Sequence, residues 1–153
     1  MDKSYIIEEI NITRPIGWTT EDESDMLVKN GFDKETADMV FYGVKVGGVV
    51  ADFKLPIPKT TQNKNGKPCW SEGVLLYILP NTIRDETNEY FLFMRKNFVA
   101  YVKDKNIRVG YHPDFDNIFM FSSERCLVGS LVDMHLKLME FNRKVEMRKN
   151  FVI

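Results

Sequence analysis

The period of apolar positions changes several times along the chain, and each change marks an element. "SYIIEEINITR" alternates and predicts a first strand, closed by the turn "RPIGW". Thr20 and Glu23 have the spacing at which each side chain satisfies the other residue's free amide, so a short helix is expected to Asn30, with Gly31 at its end. Asp33 begins a second expected helix, "DKETADMVFYGV". "GGVVADFKLPI" reads as a strand entered through a glycine pair, "PKTTQNKNGKP" as a mobile polar loop, and "GVLLYILP" as a strand stopped by Pro80. "NTIRDETN" reads as a turn. From Glu89 onward "EYFLFMR", "FVAYVK", "IRVGYH" and "IFMFS" are short apolar runs spaced by turn residues, the pattern of an antiparallel meander.

The last element has the strongest pattern. Leu127, Leu131, Met134, Leu138, Phe141 and Val145 step alternately by four and three, and Val128, Val132, Leu136 and Met139 widen the stripe. This predicts a helix from Ser123 to about Arg148, capped by a serine and with Glu124 at its positive end. Such a helix lies across a sheet, or gives part of its stripe to a second subunit as a homo-oligomer. The expected fold is α+β: a mainly antiparallel twisted sheet, two short N-terminal helices, and a long C-terminal helix on or behind the sheet. One domain over 1–153 is expected, with an acidic strand–helix–helix segment at 1–44, a meander at 45–122 and the helix at 123–149.

Composition narrows the class. The chain has 153 residues, 44% apolar and 28% charged, as ordinary globular proteins have. No apolar run reaches the roughly 18 residues a membrane span needs, so no membrane association is expected. "MDKSYIIEEI" puts carboxylates where a signal peptide needs an apolar core, which points to the cytoplasm of a bacterial or phage-infected cell. The abundance of Lys, Asn, Ile, Met and Phe fits an AT-rich coding genome of the kind many large phages have. Cys69 and Cys126 are too few for a disulfide framework and are expected to be reduced.

No nucleotide, nucleophile-elbow or zinc-protease motif is present, and no enzyme activity or cofactor is expected. His112, Asp114 and Asp116 have metal-ligand chemistry but also make an ordinary polar turn, so no metal is expected. The helix-turn-helix spacing at 20–44 carries Asp33, Glu35 and Asp38 where phosphates would lie, which argues against duplex reading there.

Charge is unevenly distributed. Residues 1–40 hold ten acidic and four basic residues, a balance of -6; residues 41–153 hold twelve acidic and seventeen basic, a balance of +5. Segments 45–67 and 95–108 are each +4. Alternation in a strand places Tyr101 beside Lys103 on one face, opposite Phe98, Ala100 and Val102. A basic, aromatic face suits single strands, because cations follow phosphates while rings accept unstacked bases. The residues expected to bind single-stranded RNA or DNA are Lys96, Tyr101, Lys103 and Arg108, with Lys64, Lys67 and Trp70 contributing from the loop.

The strand, polar step, glutamate and apolar helix of "IFMFSSERCLVGSL" resemble the Whirly class of single-stranded nucleic-acid-binding domains and its Pur-type relatives. Gly66-Lys67 before "GVLLYILP" is similar to that family's lysine-glycine-lysine entry into a strand, although Pro68-Cys69-Trp70 intervenes and no alanine pair follows. The resemblance spans residues 45–140. It implies that a curved sheet binds the strand and that helices lie behind it or build an oligomer. The alternative function is a protein-interaction module, a phage accessory factor, inhibitor or immunity protein, acting through the acidic N-terminal helices.

Overall fold

The computed structural model describes residues 17–103 and 115–151. The expected strands at 4–14 and 107–112, together with Arg108, His112 and Asp114, lie outside the described residues. Helix α1, Glu21–Lys29, starts as its sequence indicates. The Thr20 side chain accepts from Glu23 N–H at 3.1 Å, and Glu23 Oε1 accepts from Thr20 N–H at 2.9 Å. Gly31, at φ +95°, follows the helix in the left-handed region that favours glycine.

Beyond this point the chain departs from the second expected helix. Asp33 caps only a single 3-10 turn, Lys34–Thr36, and the chain then extends as β1, Met39–Val46. The aromatic and β-branched run Val40-Phe41-Tyr42 suits a strand once β2, Val49–Pro58, is available to pair with it. The Gly47-Gly48 turn between them has φ of +60° and +82°, as a tight hairpin requires. β3, Pro68–Cys69, pairs with the other edge of β1. Phe41 N–H donates to Lys67 O and Lys59 N–H to Asp38 O, so Leu55 and Ile57 face β1 and the Pro56 and Pro58 nitrogens face outward along the edge of the sheet.

The apolar run expected to be a strand at 73–80 is instead helix α2, Glu72–Tyr77. The cause is local: Ser71 Oγ accepts from Val74 N–H at 3.2 Å, Glu72 sits in the positive first turn, and Leu75 alone of the run is wholly buried. A second antiparallel sheet follows in the order β4-β5-β6-β7: Thr82–Arg84, Glu89–Arg95, Phe98–Val102 and Ile118–Ser123. The expected single meander over 45–122 is therefore two sheets with a helix between their strands.

Helix α3 runs Leu127–Phe151 and begins four residues later than expected. Ser122 and Ser123 stay in β7, and Cys126 takes the cap position, its Sγ accepting from Gly129 N–H at 3.5 Å. Glu124 N–H is satisfied by Ser130 Oγ at 2.8 Å, and Ser122 Oγ donates to Asp133 at 2.6 Å. The stripe faces inward as expected: Val128, Leu131, Val132, Met134 and Leu138 join Leu27, Trp70, Leu75, Val99 and Tyr101 in one buried cluster. Both cysteines are free thiols, and burial pushes that of Cys69 up to about 11.

His135 is buried in this cluster, with Nε2 2.7 Å from Leu75 O and its ring edge-on to Phe32 at 5.0 Å. Burial lowers its pKa, despite the opposing effect of the Leu75 carbonyl. The unfolded chain therefore binds a proton below about pH 6.5 that the folded chain refuses. Stability should fall as pH drops from 7 toward 5, by at most about 1.4 kcal/mol per pH unit from this group. His135→Gln, which keeps a donor for Leu75 O, should flatten that slope in urea unfolding across the same range. Leu131→Ala should cost about 2–5 kcal/mol in the same measurement, because Leu131 is fully buried.

Candidate nucleic-acid interface

Register sorts the second sheet into two faces. Ile83, Tyr90, Leu92, Met94, Val99, Tyr101, Met120 and Ser122 share the face that meets α3. Phe91, Phe93, Phe98, Ala100, Val102, Ile118 and Phe121 share the other. The shift of register between Tyr101 and Val102 turns Phe119 to the helix side, where it stacks on Tyr90 at 4.0 Å and meets Phe141 edge-on at 5.5 Å.

This is the reverse of the expected arrangement. Tyr101 is fully buried, and its hydroxyl donates to Pro80 O at 2.6 Å; burial pushes its pKa far above the usual tyrosine range. Its ring is not available to a base. The physical reason is that every position of β6 is apolar, so alternation does not tell the two faces apart. The buried tyrosine's hydroxyl has a carbonyl within reach, which removes the cost of placing it inside.

Trp70 is likewise fully buried. Its indole N–H donates to Thr36 Oγ1 at 2.9 Å, its backbone N–H donates to Thr19 Oγ1 at 3.1 Å, and Phe32 packs against its ring at 5.3 Å. It is a core residue, not a stacking platform. Lys67 lies 3.1 Å from Asp25 and 3.5 Å from Glu21; burial disfavours its charge, but these carboxylates outweigh burial and raise its pKa. Lys64 is exposed on the 59–67 loop beside the first sheet. Lys96 and Lys103 are exposed at opposite ends of β6, roughly 17 Å of strand apart. The structure therefore brings Lys96 and Lys103 to one sheet and leaves Lys64, Lys67 and Trp70 on another part of the chain.

A different aromatic surface is present. Phe93 and Phe98 lie 6.2 Å apart edge to face, and Phe98 and Phe121 lie 5.9 Å apart with planes 21° from parallel. Phe93 and Phe98 are half-buried, and Phe121 is 43% exposed. Together they cross β5, β6 and β7 in one row. At the β7 end of the row Lys137 reaches Phe121 from α3, with Nζ 5.6 Å from the Phe121 ring centre, 2.5 Å from Phe121 O and 2.9 Å from Asp133.

Lys96 occupies the turn that ends this row, at φ +53°, a conformation that costs a non-glycine residue about 1–2 kcal/mol. Asn97 Nδ2 donates to Glu124 O across the same end, which brings exposed Arg125 beside the turn. Strand alternation did not single out the phenylalanines. Their signal was the doubly apolar run "FVAYV" itself, which implies that both faces of β6 carry apolar neighbours.

The acidic helix is largely committed within the chain. Glu21 pairs with Lys54 at 3.4 Å and with Lys67, Asp25 pairs with Lys67, and Glu23 completes the cap of α1. Asp85, at the β4–β5 turn, accepts from the Tyr90 hydroxyl and from the Thr87 and Asn88 amides, which lowers its pKa to about 2. No group of three or more His, Cys, Asp or Glu among the described residues is placed to hold a metal ion, and no helix among them is long and apolar enough to cross a membrane. No protein-family model, curated protein or solved structure gives a significant match to the chain.

Replacing Tyr101 by Phe removes a structural hydrogen bond and nothing from the face that carries the phenylalanines. Stability should fall by about 1 kcal/mol in urea unfolding. In spectrophotometric titration the variant should match the parent around pH 10, where exposed tyrosines ionise, because Tyr101 does not contribute there.

Proposed function

We propose that the protein binds single-stranded nucleic acid across the outer face of the β4–β7 sheet, through phenylalanine rings instead of Tyr101 and Trp70. The observation that carries this reading is the row Phe93–Phe98–Phe121, with exposed Lys96, Lys103 and Arg125 at its margins. Rings on a sheet offer π-faces that any base can use, at about 1–3 kcal/mol per base. Lysine and arginine at the margins attract phosphates without regard to sequence. A strand crossing from β5 to β7 would meet the three rings in turn. The same architecture, a sheet that binds and helices behind it, is what the resemblance to Whirly and Pur-type domains led one to expect. A protein partner docked on the phenylalanine face is the competing outcome.

The test is fluorescence anisotropy with a labelled mixed-sequence 20-mer at several salt concentrations. With three phosphates neutralised, the log–log salt slope should be about -2, from roughly -0.7 per phosphate. Phe98→Ala and Phe121→Ala should each weaken binding by about 1–3 kcal/mol with little change of slope. Lys103→Ala should make the slope shallower. Lys96→Gly is the most discriminating variant: glycine relieves the left-handed strain, so the variant should unfold at higher temperature while binding less tightly. No binding at micromolar protein in low salt would defeat the reading and leave the protein-partner outcome.

A further inference from the structure

We propose that the recess between the 3-10 turn at Lys34–Thr36 and the 59–67 loop is a binding site for a phosphate group, separate from the phenylalanine face and independent of strand binding there. Lys34, Lys59 and Lys64 all line this recess, against one carboxylate, Glu35. Its volume is about 170 Å³, several times the roughly 30 Å³ that one water occupies in the liquid.

The positive charge is poorly neutralised from within. Lys34 and Lys64 make no ion pair among the described residues, and Lys59 Nζ is 3.9 Å from Glu35, whose side chain is 87% exposed. Two further carboxylates stand outside its lining: Asp38 is turned to Ser71 N–H at 2.9 Å and Asp33 to Glu35 N–H at 2.9 Å. The groove beside α3 shows the contrast. There each lysine has its own carboxylate, Lys137 with Asp133 at 2.9 Å and Lys144 with Glu140 at 3.3 Å. Three lysines facing one carboxylate leave the recess with an excess of positive charge, which concentrates an anion.

The recess is also built to hold its shape. The loop expected to be mobile is closed by reciprocal bonds: Thr60 N–H donates to Asn63 Oδ1 at 2.6 Å, and Asn63 N–H to Thr60 Oγ1 at 3.3 Å. Asn63 Nδ2 ties the loop to Pro58 O at 3.0 Å. Gly66 lies so close to β1 that an added Cβ would stand 3.2 Å from Asn63 O and 3.4 Å from Val40 Cβ. Lys64 is therefore carried on a fixed backbone, and the half-buried Lys59 forms the inner part of the recess. Lysines present compact charges without the planar fork of arginine, which suits the terminal oxygens of a phosphate monoester or of free phosphate.

The experiment is thermal unfolding and isothermal titration with inorganic phosphate, against chloride at equal ionic strength. Phosphate should raise the midpoint and give saturable heat. Lys34→Gln with Lys64→Gln, both at exposed positions, should leave the fold intact and weaken phosphate binding by about tenfold or more. Lys29→Gln, on α1, should bind as the parent does. A 5′-phosphorylated oligonucleotide compared with its unphosphorylated form identifies the source. A gain that depends on Lys64 marks a strand end, and equal binding of the two forms alongside saturable inorganic phosphate marks a free anion. The proposal is overturned if phosphate acts no differently from chloride, or if its effect survives the double substitution.

Discussion

A strand that is apolar at every position must be covered on both faces, and β6 imposes that condition on the rest of the molecule. Val99, Ala100 and Tyr101 are wholly withdrawn from water. Helix α3 covers one face, and the Pro80 carbonyl makes Tyr101 acceptable there. The other face is left with the phenylalanines of β5, β6 and β7. The aromatic character of the outer face is thus decided by the demands of the interior. Had the hydroxyl of Tyr101 found no acceptor, burying it would have carried the cost of an unmet polar group, and the opposite face would have been the cheaper one to cover.

A small polar junction ties helix α1 to the connection that leaves the first sheet. Thr19 N–H donates to Trp70 O at 2.9 Å, Trp70 N–H donates to Thr19 Oγ1, and Thr19 Oγ1 lies 2.8 Å from Ser24 Oγ. These buried groups satisfy one another, so the start of α1 and the β3–α2 connection are held in register without a charge. Trp70 conveys that register to the hydrophobic cluster through Phe32, which also touches His135.

Elements with a local chemical signature were legible in the sequence. The capping box at Thr20 and Glu23, the glycine pair at 47 and 48, the Lys96-Asn97 turn and the stripe of α3 each carry their own cause. The errors fall where two structures use the same residues. "GVLLYIL" has no period, and the serine before it, not the apolar run, decides for helix. "MVFYGVKV" follows an acidic start that looks helical, but β2 returns against it directly across the Gly47-Gly48 turn, and that pairing prevails. At 122–127 the serines looked like caps because serine usually is one; in the fold one serine reaches Asp133 and a thiol caps the helix instead. Of the residues expected at the interface, the exposure of Lys96 and Lys103 could be read because lysine seldom leaves water, while the burial of Tyr101 and Trp70 could not, because it depends on where an aromatic's polar atom finds a partner.

The outward prolines of β2 bear on the behaviour of the protein in a crowded solution. At positions 56 and 58 the edge of β2 that no described strand pairs with has carbonyls but no amide hydrogens, because each proline nitrogen lacks one. A foreign extended segment aligned there would find acceptors without donors, and its own carbonyls would be stranded. Templated stacking of one molecule's hairpin on another's, the first step toward a cross-β fibre, is blocked along that half of the arm by two ring closures and requires no charge to prevent it.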